Sequence, residues 1–311
     1  MLGPITCKTI DLSSVSTEDR SYLFSFPKRD IFLIESIKNW GLLQPPILYL
    51  PKEGAFQIIC GEGRVLACKT IGFKEIKALV LKKLSPKELL LISLESNLFR
   101  NLNLVEKAEF LNKAIPLFTL DEILILMKKI NLPPNNIWLK ILLEINKLDI
   151  EFKNLIINDK LNLHILQFFK FLNEIEKKEF LLVITRLNLS FSEQREVLEK
   201  LLDLKRRLRL TSLLPEELKD ALNYEEFNQR RKTFFERLKE LYYPNLSAKM
   251  MTLKPYIEKL QKKQINVKLS PYLEKKEIEL IFKVKDSQEF SQKIEFLTQN
   301  EEVIKKILET I

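Results

Sequence analysis

Residue types able to hold an anion gather at Gly61-Glu62-Gly63-Arg64, directly after the apolar run Phe56-Gln57-Ile58-Ile59-Cys60. A glycine turn between a strand and a helix exposes backbone N–H groups at the helix N-terminus, where the peptide dipoles favour phosphate. Arg64 adds a planar guanidinium that can pair bidentately with phosphate oxygens. Glu62 is placed to orient it, or to accept from a sugar or base. A second polar set, Glu95, Asn97 and Arg100, follows downstream. The densest cationic runs are Lys205-Arg206-Arg207 and Arg230-Arg231-Lys232. Both suit phosphate, but acids surround them (Asp203, Glu225, Glu226, Glu236), which describes a solvated helix face equally well.

Other chemistries are poorly supplied. Cys7, Cys60 and Cys68 are too few and wrongly spaced for a disulfide framework or a zinc site, and read as reduced thiols. The single histidine, His164, lies far from them in sequence, which argues against a Cys–His nucleophile and against histidine-based metal binding. The 311 residues are 46% hydrophobic and 30% charged, enough to bury the cores of two or three domains. Lys and Arg number 51 against 42 Asp and Glu, a net charge of +9 that weakly favours a polyanionic partner. No secretory leader is apparent, and charges break every apolar run before it could span a bilayer. The expectation is a cytoplasmic protein with no membrane partner.

These side chains need elements to position them. Ile31, Ile34, Ile37 and Trp40 recur at threefold spacing, predicting an amphipathic helix over 31–40 that Gly41 ends. Pro45-Pro46 forces extended backbone. Residues 47–50 and 56–60 then read as a hairpin, 65–71 as a helix closing on Gly72, and 75–81 as a third strand. From Ser85-Pro86 the period becomes helical: Ser85, Pro86 and Glu88 form a helix-start signature. Helices are expected over 104–115, 119–130, 137–148, 149–158, 162–172, 174–187 and 192–209, with 131–136 as a tight turn. The last third predicts helices at 225–241 and 247–263, strands at 265–269 and 277–284, and closing helices at 287–297 and 301–311. The fold class is α+β multidomain: an α/β domain over 1–86, a helical segment over 87–213, and a small α+β domain over 220–311.

The segment 42–81 resembles the N-terminal domain of ParB-type chromosome-partitioning proteins, with its hairpin, its Cys60-Gly61-Glu62-Gly63-Arg64 turn and its Gly72-Phe73-Lys74-Glu75-Ile76 return. A second box follows in Glu95-Ser96-Asn97-Leu98-Phe99-Arg100 and Leu102-Asn103-Leu104-Val105-Glu106-Lys107-Ala108. It is similar to the family's Glu-Asn-x-x-Arg box and the Leu-x-Pro-x-Glu-x-Ala run after it. Together the boxes cover roughly 28–115. The resemblance implies a CTP site built from Gly61, Glu62, Gly63, Arg64, Glu95, Asn97 and Arg100. It implies Mg²⁺ near Glu95, and hydrolysis that is weak at most. Two departures stand out. Gly63 replaces the first arginine of the family's pair, and Ser96 interrupts the Glu-Asn pair, so Asn97 fills the asparagine role only with a one-residue slip. A lost charge-assisted contact costs about 1.5–3 kcal/mol, enough to weaken nucleotide binding tenfold or more. Sulfiredoxin shares the fold, but its reactive cysteine position is Glu62 here.

The same resemblance makes 119–130 the first helix, 131–136 the turn and 137–148 the recognition helix of a helix-turn-helix, with Asn135, Asn136 and Lys140 the side chains best placed to meet bases or phosphates. Trp138, Leu139, Ile141, Leu142, Leu143 and Ile145 make that helix apolar over more than one face. His164 reads as an ordinary helix residue. The implied function is a nucleoid-associated, homodimeric DNA-binding protein of partition or gene regulation, gated by nucleotide. DNA would also meet Lys205, Arg206 and Arg207. Two alternatives stand beside it: a metal-dependent nuclease, for which only Glu62 and Glu95 offer carboxylates, and an interaction scaffold that keeps the fold without its ligands.

Overall fold

A computed structural model of the chain describes residues 5–27 and 31–311. Its contacts separate into two compact units, one reaching to Phe171 and taking in Ser190–Arg195, the other made of Leu172–Leu189 and Glu196–Ile311. Among the described residues no helix is long and apolar enough to cross a membrane.

The first unit opens with β1 (Thr6–Asp11) and α1 (Ile31–Trp40), then β2 (Ile47–Tyr49), β3 (Gln57–Cys60), α2 (Glu62–Ile71) and β4 (Glu75–Leu81). The strands form one sheet in the order β1-β4-β2-β3. β4 is antiparallel to β1 and parallel to β2, and β2 and β3 form the expected antiparallel hairpin, with a register shift between Ile47 and Leu48. Successive side chains on a strand point to opposite faces. Leu48, Ile58, Ala78 and Val80 accordingly pack with Ile37, Val65 and Cys68 on one side. Ile59 and Leu81 pack with Leu89 on the other, where α3 (Pro86–Glu95) covers the sheet.

Sequence periodicity missed β1. In Thr-Cys-Lys-Thr-Ile-Asp only Ile10 is buried, so an edge strand with one inward residue shows no apolar alternation. It also began α2 too late: the helix starts at Glu62, with Gly61 as its N-cap at φ 92°.

Beyond the sheet run α3, α4 (Leu104–Ala114), α5 (Leu120–Lys129), α6 (Asn136–Asn146) and α7 (Ile150–Ile157). The starts of α3, α4 and α5 are reciprocal capping boxes, Ser85 with Glu88, Asn103 with Glu106 and Thr119 with Glu122, each satisfying two otherwise orphaned N–H groups. α6 packs on α4, where Asn146 donates to the Ala108 carbonyl at 2.8 Å. The expected helix at 162–172 is instead a 3₁₀ helix, Leu163–Phe171. Its buried residues Leu166 and Phe169, with Leu172 beyond it, are three apart, and that spacing eclipses on a 3₁₀ face.

The second unit holds α8 (Glu174–Leu187), most of α9 (Phe191–Leu208), α10 (Glu216–Leu222), α11 (Phe227–Tyr242), α12 (Pro244–Gln261), the antiparallel pair β5 (Asn266–Leu269) and β6 (Ile278–Ile281), α13 (Ser287–Gln299) and α14 (Glu301–Thr310). Leu253, Leu260, Ile265, Val303 and Ile307 form the core beneath the two-stranded sheet. α10 was not expected; it begins right after Pro215, and Leu218, Ala221 and Leu222 bury its inner face.

Candidate functional site

The Gly61 turn works because its backbone and its neighbours agree. φ 92° at Gly61 lies in the left-handed region, and a Cβ there would stand 2.9 Å from Nη2 of Arg64. Glycine therefore lets α2 begin tightly and lets the Arg64 side chain fold back over the turn. The guanidinium donates to the carbonyls of Gln44 at 2.8 Å and Pro45 at 3.3 Å, tying the glycine turn to the loop before β2. Glu62 does not orient Arg64. It is 7% exposed and forms an ion pair with Arg20, which lies upstream of both boxes.

The second box supplies the opposite wall. Arg100 donates to Glu106 at 2.7 Å, to Oδ1 of Asn97 at 3.2 Å and to Ser25 at 3.4 Å. Glu106 is fully buried, and it also accepts from the backbone N–H groups of Asn103 at 3.0 Å and Phe26 at 3.2 Å. A carboxylate carrying three donors is well satisfied despite its burial. Asn97 donates to the Ser93 carbonyl at 2.8 Å. Cys60 sits between the walls, where burial pushes its thiol up against the opposing pull of Arg64 and Arg100.

These walls enclose a cavity of about 340 Å³. Gly61, Glu62, Gly63, Arg64, Asn97 and Arg100 all line it, joined by Ser25, Gln44 and Cys60 and by an apolar side of Leu33, Leu66 and Phe99. Phe99 is 85% exposed at the rim. Glu95 does not belong to this set. It lies on the exposed end of α3 in an ion pair with Lys129 of α5. Among the described residues, no three His, Cys, Asp or Glu side chains stand close enough to hold a metal ion. With Glu62 paired to Arg20 and Glu95 outside the cavity, the residues present do not fit a protein-held divalent cation.

Sequence reading missed Ser25 and Arg20, because both reach the site from the loop after β1 and neither belongs to a motif. Asp19, beside Arg20, is fixed by Ser21 and by Gln57 at 2.6 Å. Burial works to raise its pKa, and these hydrogen bonds outweigh it, holding the carboxyl below its ordinary value.

The residues expected to meet DNA separate into two groups. Asn135 is the N-cap of α6, accepting from the Trp138 N–H at 2.9 Å, while Asn136 and Lys140 are exposed on its first turns. At the end of α9, Lys205 pairs with buried Glu176. Arg207 donates to the Tyr242 carbonyl at 2.9 Å and to that of Leu241, capping the C-terminus of α11. Arg206 is exposed. The run at 230–232 is mostly structural: Arg230, 9% exposed, donates to the carbonyls of Tyr224, Arg186 and Glu225, and Arg231 to that of Leu187. His164 lies on the exposed side of the 3₁₀ helix.

Residues 6–98 match the family model described as the ParB N-terminal domain. A probable chromosome-partitioning protein ParB of Rickettsia bellii (strain RML369-C) is 43% identical over 77 residues, 24% of this chain and 25% of that protein. The match thus spans a quarter of the relative's length. Among solved structures, the C-terminally truncated ParB of Caulobacter crescentus complexed to the centromeric parS site matches with a TM-score of 0.34 and 18% identity, over 62% of this chain and 99% of that one. The same truncated protein complexed with CTP-gamma-S matches at 0.27 and 20%, over 49% and 85%. A Pnob8-like ParB-N domain matches at 0.39 and 15%, over 76% and 96%. Over residues 6–98, which hold the four-stranded sheet and the glycine turn, this chain is thus similar to the ParB N-terminal domain.

Proposed function

We propose that this chain is a ParB-like DNA-binding protein of chromosome partition or gene regulation, whose first domain binds CTP. The observation that carries the reading is the cavity: six residues from two boxes far apart in sequence line one space. Its lining divides by chemistry into α2's N-terminus with Arg64 and Arg100, and the apolar side chains of Leu33, Leu66 and Phe99. This division suits a nucleotide, with phosphates towards the N–H groups and cations and the base towards Leu33, Leu66 and Phe99. A ParB of Caulobacter crescentus has been solved with CTP-gamma-S and with parS, which supports the same pair of ligands here.

DNA would be met by the helical segment through α6, where Asn136 and Lys140 are exposed, and by Arg206. Lys205 and Arg207 contribute less, since both are engaged within their own unit. The protein would act as a homodimer on the nucleoid in the cytoplasm, with nucleotide held by the α/β domain over 1–86. Isothermal titration of the full chain with CTP, ATP, GTP and UTP in Mg²⁺ buffer tests the reading. Saturable CTP binding is expected, weakened about tenfold or more in Arg64→Ala. Equal or absent response to all four nucleotides would refute it.

A further inference from the structure

Glu62 presents a difficulty for any anion site here. It is the first residue of α2, it lines the cavity, and at 7% exposure its carboxylate has little water to screen it. An ionised carboxylate beside the space a phosphate would fill repels it. Two like charges a few ångströms apart where little water screens them oppose each other by more than one charge-assisted hydrogen bond returns. The turn also lacks a cation at Gly63.

Arg20 answers both points. Its Nη1 pairs with Oε1 of Glu62 across 42 residues of sequence. The backbone around it is anchored: the Arg20 carbonyl accepts from Nζ of Lys113 at 2.9 Å and from the Leu23 N–H at 3.1 Å. The Asp19 carboxylate next to it is held by Ser21 and Gln57. Arg20 is thus delivered to Glu62 by a fixed loop, with a side chain 35% exposed and open to solvent.

We propose that Arg20 is a positioning residue of the nucleotide pocket, neutralising Glu62 so that the Gly61 turn can accept a triphosphate in the absence of an arginine at residue 63. The inference rests on the nucleotide reading above. Its test is CTP titration of the full chain as wild type, Arg20→Ala, Arg20→Lys, Glu62→Gln and the Arg20→Ala/Glu62→Gln double variant. Arg20→Ala should weaken binding about tenfold or more, the repulsion being uncovered. Arg20→Lys should recover most of the loss, and the double variant should return near wild type because the uncompensated charge is gone. A double variant as weak as Arg20→Ala would overturn the proposal, because the guanidinium would then be acting on the ligand itself. Wild-type affinity in Arg20→Ala would overturn it too, while leaving the nucleotide reading intact. Absence of CTP binding by the wild type would sink both. If Arg20→Ala lost its thermal transition, Arg20→Gln would carry the same comparison, with the same two outcomes against the proposal.

Discussion

Three arginines reach the Gly61 turn and its opposite wall, and each has a different partner: Arg20 a carboxylate, Arg64 two carbonyls, Arg100 a carboxylate, an amide and a hydroxyl. Gly61 is the residue that permits this crowding. Gly61→Ala would force a side chain into the left-handed region and against the Arg64 guanidinium, at a cost of about 1–3 kcal/mol in unfolding free energy. Urea denaturation should show it. Gly63 lies inside α2 and is not among the positive-φ glycines, so Gly63→Ala should not share that loss. The turn and Arg64 were legible in the sequence because strand, glycine and helix follow one another without interruption. Arg20 was not, since nothing local marks an ion pair between residues 42 apart in sequence. Glu95 stands away from the cavity for a related reason: being in a box does not fix which way a helix end faces, and here it pairs with Lys129 of α5.

At the scale of elements, cations were easy to find and their use was not. Clusters at 205–207 and 230–232 read alike as phosphate grips, yet Arg207, Arg230 and Arg231 spend their donors on carbonyls, several of them at helix ends. Last-turn carbonyls have no intrahelical partner, and arginine satisfies them well. Arg230→Ala would orphan three carbonyls and should lower stability by about 2–4 kcal/mol while leaving the salt dependence of DNA binding unchanged. Lys140→Ala should do the reverse, flattening the slope of log affinity against log salt by about one with little effect on melting. Fluorescence anisotropy across a salt series separates the two. The start of α3 was legible because its capping box is written in four adjacent residues, Ser85 to Glu88, whereas α2, whose N-cap is a glycine, was begun too late. β1 escaped because an edge strand with one buried residue has no pattern to read, and Leu163–Phe171 was expected as an ordinary helix because its buried residues are spaced by both three (Leu166, Phe169) and four (Ile165, Phe169).

At the scale of the molecule, two buried thiols bear on its alkaline limit. Burial raises both Cys60 and Cys68 above the ordinary 9.0. The folded chain therefore holds these protons after the unfolded chain has begun to release them. Their contribution is complete below the unfolded value and is lost as pH rises through the folded one. Lys107, held below its ordinary 10.5 by burial, acts in the opposite sense over the same range. The urea midpoint should fall as pH rises past the ordinary thiol range, and fall less in Cys60→Ala/Cys68→Ala. A drop equal in both proteins would exclude the thiols as its source. With two compact units, calorimetric and van't Hoff enthalpies should also disagree.

Glu106 closes the account of the first unit. One carboxylate completes the capping box of α4, anchors the Phe26 N–H and holds the guanidinium of Arg100 at the cavity wall. Occupation of the cavity and integrity of the first turn of α4 are therefore not separate properties. Any force that draws Arg100 inward is felt by Glu106, and any fraying at Asn103 loosens the wall. By reciprocity, what steadies one must steady the other by the same free energy. A single buried carboxylate thus ties the start of α4, the chain at Phe26 and the cavity wall together.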